Sequence, residues 1–246
     1  MVPFSFANQE WRLVAMRALF WPRENALVVA DLHLEKASFF AGTGQMLPPY
    51  DSRETLERVA QALRMTGARR VYTLGDNFHD ANGPQRLEPH ARGMLDALTR
   101  AVDWVWITGN HDEAHSPAGH GRIDAPGGTE VDELEVGGAL LRHQAKPGET
   151  RVELSGHYHP RLQIKVRERR IVRPCVVMSQ SDSDTATGRM ILPAFGSLTA
   201  GMDAGDKTIM KAMQPACRIA AKVPVADRLL DFPLWQAERR AGQQVA

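Results

Sequence analysis

The sequence predicts an α/β fold that finishes as mostly β, an order that two β-sheets packed face to face with helices outside would satisfy. Short apolar segments of strand length recur along the chain, and several end directly in polar, chemically capable residues. Two segments with helical spacing separate the first three of these strands. Strand, helix, strand, helix, strand is the order typical of an α/β domain, and it covers about the first 110 residues.

Four predicted strands carry polar residues at their carboxyl ends. Each has the length and the β-branched or aromatic content of a buried strand. In α/β folds ligands bind beyond such strand ends, so these polar residues are the first candidates for a site. The strands and the residues that follow them are Ala26–Ala30 before Asp31-Leu32-His33, Arg70–Leu74 before Gly75-Asp76, Trp104–Thr108 before Gly109-Asn110-His111-Asp112, and Val152–Ser155 before Gly156-His157-Tyr158-His159.

Two amphipathic segments predict the helices of the first half. The first helix starts at Asp51, a candidate N-cap with Glu54 three residues on, and closes at Gly67. The second runs from about Pro89 to Arg100. In the first helix the apolar residues at helical spacing are Leu56, Val59, Ala60 and Leu63, and in the second the inward residues are Met94, Leu95 and Leu98.

The later half has a different pattern, with strands but no obvious helix between them. The predicted strands are Leu162–Arg167, which alternates apolar and polar residues, Ile171–Met178 and Met190–Ala194. Helix fragments are expected around Val225–Asp231 and Leu234–Arg240. We expect one domain over residues 1–200 and a C-terminal extension over residues 201–246, packed on it or appended to it.

Composition narrows the class of protein. The chain has 246 residues, 43% of them hydrophobic and 24% charged, which are ordinary globular values that exclude global disorder. Two cysteines are too few for a disulfide scaffold and fit a reducing cytoplasm, where we expect the protein to be. We expect no membrane span and no secretory signal, because no apolar run is long enough and the amino terminus lacks a basic leader.

Six of the nine histidines lie at these strand ends or in similar places. Neutral imidazole is the commonest metal ligand near pH 7, and Asp supplies the charge that holds a divalent cation. In an extended or tight-turn segment, the side chains of residues i and i+2 point the same way. Asp31 and His33 can therefore bind one ion together, and so can His157 and His159. A single Asp-x-His is weak evidence for a metal site. Four different motifs with potential metal ligands, one at each of four strand ends, together predict a shared metal site.

The motif order resembles that of calcineurin-like metallophosphoesterases. The resemblance covers about residues 26–200 and implies a four-layer αββα sandwich, with two mixed β-sheets face to face, helices outside, and two metal ions at the sheet ends. It implies that Asp76 bridges the two ions. The remaining ligands implied by the resemblance are Asp31, His33 and His159 on the first ion and Asn110, His143 and His157 on the second.

One position separates this chain from the phosphoprotein phosphatases of that superfamily. They carry a second Asp three residues after the bridging one, whereas this chain has His79 in Gly75-Asp-Asn-Phe-His79, which is similar to Mre11-type nucleases. Val29–Lys36 and Leu192–Gly196 resemble the bacterial ligase-associated DNA damage response phosphoesterases (PdeM type). That resemblance implies a DNA nuclease working in repair beside a DNA ligase and a helicase.

Two divalent cations neutralise a phosphodiester and yield a nucleophile near pH 7. We therefore expect a hydroxide that bridges the two ions to attack phosphorus. His111 is the candidate for protonating the leaving oxygen, and His79 for orienting the phosphate or supporting His111. Imidazole and carboxylate ligands suit Mn²⁺, Fe²⁺ or Zn²⁺, and Mn²⁺ is the choice that the resemblance favours. The alternatives are a phosphodiesterase of small cyclic or linear nucleotides and a non-catalytic binding subunit.

Charge is unevenly distributed along the chain. Residues 1–160 carry a net charge of −5 and residues 161–246 one of +6. A basic strip follows His159, with six Lys or Arg against Glu168 alone: Arg161, Lys165, Arg167, Arg169, Arg170 and Arg173. It could follow a DNA backbone or be a solvated strand face that blocks edge pairing. Trp104 and Trp106 are predicted core residues, and His115 and His120 are expected in an exposed loop.

Overall fold

The computed structural model describes residues 1–15, 17–112, 126–181 and 187–237, so His115 and His120 lie outside the described residues. The elements are β1 (Val2–Phe6), β2 (Gln9–Val14), β3 (Ala18–Trp21), β4 (Ala26–Val29), α1 (Lys36–Gly42), α2 (Asp51–Thr66), β5 (Arg70–Leu74), α3 (Gly83–Arg86), α4 (Pro89–Ala101), β6 (Asp103–Ile107), β7 (Thr129–Val131), β8 (Glu133–Val136), β9 (Ala139–Arg142), β10 (Val152–Ser155), β11 (Arg161–Val166), β12 (Arg169–Pro174), β13 (Val176–Gln180), β14 (Gly188–Ile191), α5 (Lys207–Ala212), β15 (Arg218–Val225) and β16 (Arg228–Gln236).

Two mixed seven-stranded sheets form the centre of the molecule, which confirms the predicted α/β sandwich. The first sheet runs β1-β2-β3-β4-β5-β6-β7, antiparallel up to β4 and parallel from β4 onward. The second runs β16-β15-β13-β14-β10-β9-β8, with β14, β10 and β9 parallel to one another. Five of the parallel strands carry the chemical motifs at their carboxyl ends: β4, β5, β6, β9 and β10.

The hydrophobic core has three layers. Trp11 and Trp21 stack at 4.5 Å between their ring centroids, in the layer between the two sheets. A second layer lies under α2 and α4, where Trp104 and Trp106 are 2% and 1% exposed, so their predicted place in the core is confirmed. The third layer lies on the outer face of the second sheet, against α5 and the β11–β12 hairpin. Because both faces of each sheet pack against a layer of this core, the register of the strands is fixed. The register in turn determines where the strand ends of the two sheets meet.

Local signals explain the helix ends. Gly67 takes the left-handed conformation, with φ 69°, and closes α2 as predicted. Asp51 is the first residue of α2 and does not cap it; its carboxylate instead accepts the backbone N–H groups of Lys36 and Ala37 at the start of α1. In the described part of the chain, none of the helices has both the length and the apolar character needed to cross a membrane.

The prediction of helices in the last part of the chain is wrong over the described residues. Arg218–Val225 and Arg228–Gln236 pair as an antiparallel hairpin that joins the second sheet through β13. Apolar residues three to four positions apart imitate helical spacing there, but pairing with an existing sheet satisfies the backbone better. Pro233 lies on the edge strand, next to an irregularity in the register, where a missing N–H costs little.

Two further differences concern the strands. The predicted strand Ile171–Met178 is divided at Cys175, because β12 pairs with β11 in a separate two-stranded sheet while β13 belongs to the second sheet. The sequence prediction did not include β1 to β3. Alternating apolar and polar residues in Gln9–Val14 could have revealed them, since that period is typical of a half-buried strand.

Candidate metal centre

The carboxyl ends of five strands meet at one edge of the two sheets. Strands β4, β5 and β6 of the first sheet and β9 and β10 of the second all end there. All seven predicted metal ligands are brought together: Asp31, His33, Asp76, Asn110, His143, His157 and His159. They converge from residues up to 128 positions apart, so the packing of the sheets determines the site.

The first cluster contains four of these side chains. One ligand atom from each of Asp31, His33, Asp76 and His159 lies within 4.8 Å of the others. His159 Nε2 is 3.4 Å from Asp31 Oδ1 and 3.3 Å from His33 Nε2, and His33 Nε2 is 3.7 Å from Asp76 Oδ2. The grouping is the same as the first ion's predicted ligand set.

The second cluster is centred on His143. Its Nε2 is 3.0 Å from Asn110 Oδ1, 3.0 Å from His157 Nδ1 and 3.3 Å from Asp76 Oδ1. Asp76 therefore belongs to both clusters, one oxygen facing each. A carboxylate in that position can hold two ions side by side.

The donor atoms of the second cluster fit a cation. His143 Nδ1 donates to the Leu74 carbonyl at 3.0 Å, which leaves a lone pair on Nε2. That lone pair faces acceptor oxygens of Asn110 and Asp76 at hydrogen-bond distance. Acceptors turned toward one another repel unless a positive charge lies between them, so these residues suit a divalent metal ion.

Burial keeps several imidazoles in the neutral form that binds metals. It lowers the pKa of His33 to about 2 and that of His157 to about 4. Burial alone would raise the pKa of Asp31, but the histidines around it, His159 above all, lower it. The Asp31 carboxylate in turn raises the pKa of His159, against the opposite effect of burial. Metal ions compete with protons for such groups.

The ligand-bearing loops are in a strained conformation. The left-handed region is adopted by five ligand residues, none of them glycine: Asp31, His33, Asp76, His157 and His159, with φ between 44° and 70°. Such conformations cost of order 1–3 kcal/mol each and persist only where the surroundings enforce them. Backbone bonds from Asp31 N to Gly75 O and from His33 N to Asp76 O do so here. Turns of this kind, and not extended chain, aim each i, i+2 pair at the site.

Two motif glycines allow a ligand from another strand to approach closely. A Cβ on Gly109 would overlap the backbone nitrogen of Asp76 and lie 2.5 Å from its Oδ1. A Cβ on Gly156 would lie 2.6 Å from Asp31 Oδ2. Each glycine therefore makes room for the carboxylate that its own loop faces.

Asp112 connects two loops of the site, a role that sequence reasoning missed. Its buried carboxylate accepts backbone N–H groups from Asn77, Phe78 and Gly109, together with the Asn77 side-chain amide. These bonds tie the loop after β5 to the loop after β6. Asp112 is the fourth residue of the Gly109–Asp112 motif. The sequence offered this signal: an acidic residue belongs to the motif without a predicted role as a metal ligand.

The two predicted catalytic histidines lie beside the first cluster. His111 Nδ1 donates to the backbone carbonyl of His79 at 2.8 Å, and the two rings stack at 5.3 Å. Burial lowers the pKa of His79 to about 4, and the rings of Phe39 and Phe40 pack against it. His33, His79 and His111 also lie close enough to hold an ion, but they include no carboxylate and His33 already belongs to the first cluster.

The sequence and the fold were both compared with those of known proteins. Residues 25–165 match the calcineurin-like phosphoesterase family. The structure of nuclease MPE from Pseudomonas putida aligns with a TM-score of 0.65 at 27% identity, over 94% of this chain and 98% of that one. A predicted phosphoesterase from Streptococcus pneumoniae TIGR4 aligns with a TM-score of 0.30 at 13% identity, over 90% and 99%. No curated protein sequence gives a match. The chain belongs to the calcineurin-like phosphoesterase family and is a metal-dependent phosphoesterase.

Proposed function

We propose that this phosphoesterase is a DNA nuclease that hydrolyses phosphodiester bonds at the dimetal centre. The observation that carries the proposal is the position of His111, beside two ligand clusters that share Asp76. An alkoxide leaving group needs a proton, and an imidazole next to the metal centre can supply it. The 27% identity to a nuclease over nearly the whole length of both chains supports the same activity.

Each residue of the centre has a part in the proposed reaction. When bound, two divalent cations would neutralise the charge of the diester and activate a water molecule. Asp76 holds the two clusters at a fixed separation, and Leu74 O fixes the ring of His143. The His79 carbonyl keeps a proton on Nδ1 of His111, so the ring gives a proton from Nε2 to the leaving oxygen when it is in the cationic, doubly protonated form, and becomes neutral as it does so.

Manganese is the metal that we propose. Imidazole, carboxylate and one amide oxygen form the donor set, which suits Mn²⁺, Fe²⁺ or Zn²⁺ better than Mg²⁺ or Ca²⁺. The preference for Mn²⁺ comes from the resemblance to the repair phosphoesterases. The same resemblance supports a role in bacterial DNA repair, in the cytoplasm, beside a DNA ligase and a helicase.

The proposal is tested by reconstituting the protein with Mn²⁺, Fe²⁺ or Zn²⁺ and measuring hydrolysis of several diesters. The substrates are bis(p-nitrophenyl) phosphate, labelled single-stranded and duplex DNA, and cyclic nucleotides. We expect the wild-type protein to hydrolyse the chromogenic diester and DNA. Asp76→Ala should hydrolyse neither, because it lacks the ligand that the two clusters share. Turnover of cyclic nucleotides without DNA cleavage would contradict the nuclease proposal.

A further inference from the structure

A groove lies close to the metal centre, on the side of His159. Next to the centre, His159, Arg161, Arg17 and Pro174 surround a narrow recess that has no room for a water molecule. Arg17 and Pro174 also line a wider groove of about 550 Å³, which lies between α2 and the β11–β12 hairpin. The two recesses share these residues, and we call their common lining the arginine path; the space for a ligand lies in the wider groove, one layer of side chains away from the metal ligand His159.

Arginine side chains dominate the walls of this path. Arg58 comes from α2, Arg173 from β12 and Arg161 from β11, and Arg17 is common to both recesses. In the described ranges, Glu54 forms an ion pair with Arg58, whereas Arg17, Arg161 and Arg173 have no ion pair. Burial, followed by repulsion from Arg58 and Arg161, lowers the pKa of Arg17, so these guanidiniums are close enough to repel one another. An anion placed among them would relieve the repulsion.

Two of these arginines are held in place by backbone carbonyls. Arg17 donates to the carbonyls of Ala194 and Gly196, and Arg161 donates to that of Thr199 at 2.7 Å. A guanidinium has five N–H donors, so each side chain keeps donors for a further acceptor. Fixed arginine forks match the geometry of phosphate oxygens.

We propose that this arginine groove binds the sugar–phosphate backbone of the DNA strand on the His159 side of the scissile bond. The inference rests on the proposed nuclease function and names the path of its substrate. It also divides the basic strip: Arg161 and Arg173 line the path, whereas Arg169 pairs with Val166 at the far end of the hairpin and does not.

The test compares two double variants that remove the same charge. Arg58→Ala with Arg173→Ala alters the groove, and Arg53→Ala with Arg169→Ala is the matched control. Arg53 is on the same helix as Arg58 and has the same kind of pairing, with Glu57 four residues on, but lies outside the groove. Binding of labelled single-stranded DNA is measured by fluorescence anisotropy in chelator at several salt concentrations, so that no catalysis is needed.

Each phosphate contact on a single strand contributes about 0.7 to the slope of log Kd against log salt. The groove variant loses two arginines, so its slope should be smaller than that of the wild type by roughly 1.4. The control variant should keep the wild-type slope. An unchanged slope in the groove variant, equal flattening in both variants, or no DNA binding by the wild type would overturn the inference. Hydrolysis of bis(p-nitrophenyl) phosphate by the wild type is measured separately, so its absence would contradict the nuclease function and leave the binding result standing.

Discussion

At the carboxyl end of β5, the Asp76 carboxylate faces His33 with one oxygen and His143 with the other, at 3.7 and 3.3 Å. The backbone N–H of His111 donates to Oδ1 at 3.0 Å, so the same side chain also positions the proposed acid. Burial raises the pKa of Asp76, which means that its charged form needs nearby positive charge. Two cations would supply that charge, and the residue thus links metal binding to proton transfer.

The role of His111 gives the first prediction. His111→Asn should lower turnover of a phosphodiester by about 10²–10⁴-fold, the usual contribution of a general acid. Metal content should stay at the wild-type level, because His111 lies outside the two ligand clusters that share Asp76. Steady-state kinetics and elemental analysis of the same preparation measure both quantities. His90→Asn, in the first turn of α4, is the control, and full activity of His111→Asn would remove His111 from the mechanism.

Gly156 gives a second prediction at this scale. Gly156→Ala places a Cβ 2.6 Å from Asp31 Oδ2, so the ligand must move and metal affinity should fall at least tenfold, the equivalent of about 1.4 kcal/mol. Isothermal titration with Mn²⁺ measures the change. Gly93→Ala is the control, because its Cβ meets nothing within 4 Å on α4, and it should instead stabilise the protein by about 0.5–1 kcal/mol. Equal metal affinity in the wild type and Gly156→Ala would contradict the packing argument.

Elements that depend on local signals could be predicted from the sequence, and those that depend on distant pairing could not. The strands before Asp31, Asp76 and Asn110 are short and mostly apolar, and polar residues follow their ends. In contrast, the hairpin at residues 218–236 forms because β15 can pair with the edge of β13. The residues of the hairpin alone do not indicate that this edge is available. The left-handed turns at the ligands were also unpredictable, since packing around them enforces a conformation that these residues avoid in isolation.

The junction between α1 and α2 gives a prediction about elements. Asp51→Ala removes the carboxylate that accepts the backbone N–H groups of Lys36 and Ala37 at 2.9 and 3.2 Å, and α1 has no other side-chain cap. The free energy of unfolding should fall by about 1 kcal/mol. Urea denaturation measures it. Glu57→Ala, on an exposed face of α2, should change it by less than about 0.5 kcal/mol, and equal effects of the two variants would show that the cap does not stabilise α1.

A buried charge cluster joins three strands of the second sheet. Glu153 on β10 is fully buried between Arg142 of β9 and Arg189 of β14, and Arg189 also donates to the last carbonyl of α5, that of Ala212. Arg142 also pairs with Glu133 and Glu149, whereas Arg189 pairs with Glu153 alone among the described residues. Glu153→Gln therefore leaves the buried Arg189 guanidinium without its countercharge and should destabilise the protein by about 3–5 kcal/mol. Glu135→Gln breaks an exposed ion pair with Arg151 and should cost less than about 1 kcal/mol. Similar urea midpoints for the two variants would contradict this account.

At the scale of the whole molecule, the division of charge along the sequence corresponds in part to a division of tasks, although Arg17 and Arg58 of the proposed groove come from the net negative residues 1–160. The net negative residues 1–160 supply both carboxylates of the metal centre, while the β11–β12 hairpin that begins at residue 161 supplies arginines of the proposed groove. Strand ends from both sheets are needed to complete each ligand cluster. The site therefore exists only when the two sheets are packed together, and metal binding should be linked to folding.

This linkage predicts the effect of removing the metal. Cations that bind the folded chain alone stabilise it by about 2.7 kcal/mol per site at a free concentration of 100 times Kd. For a chain of this size that corresponds to a rise in Tm of roughly 5–10 °C per site, because about 1 kcal/mol shifts Tm by 2–4 °C. Differential scanning calorimetry with increasing Mn²⁺, and then with excess chelator, should show Tm rising and falling accordingly. Asp76→Ala should lose most of the rise, because its carboxylate is common to both clusters. A wild-type Tm that is the same in Mn²⁺ and in chelator would mean that the two sheets do not form a cation site.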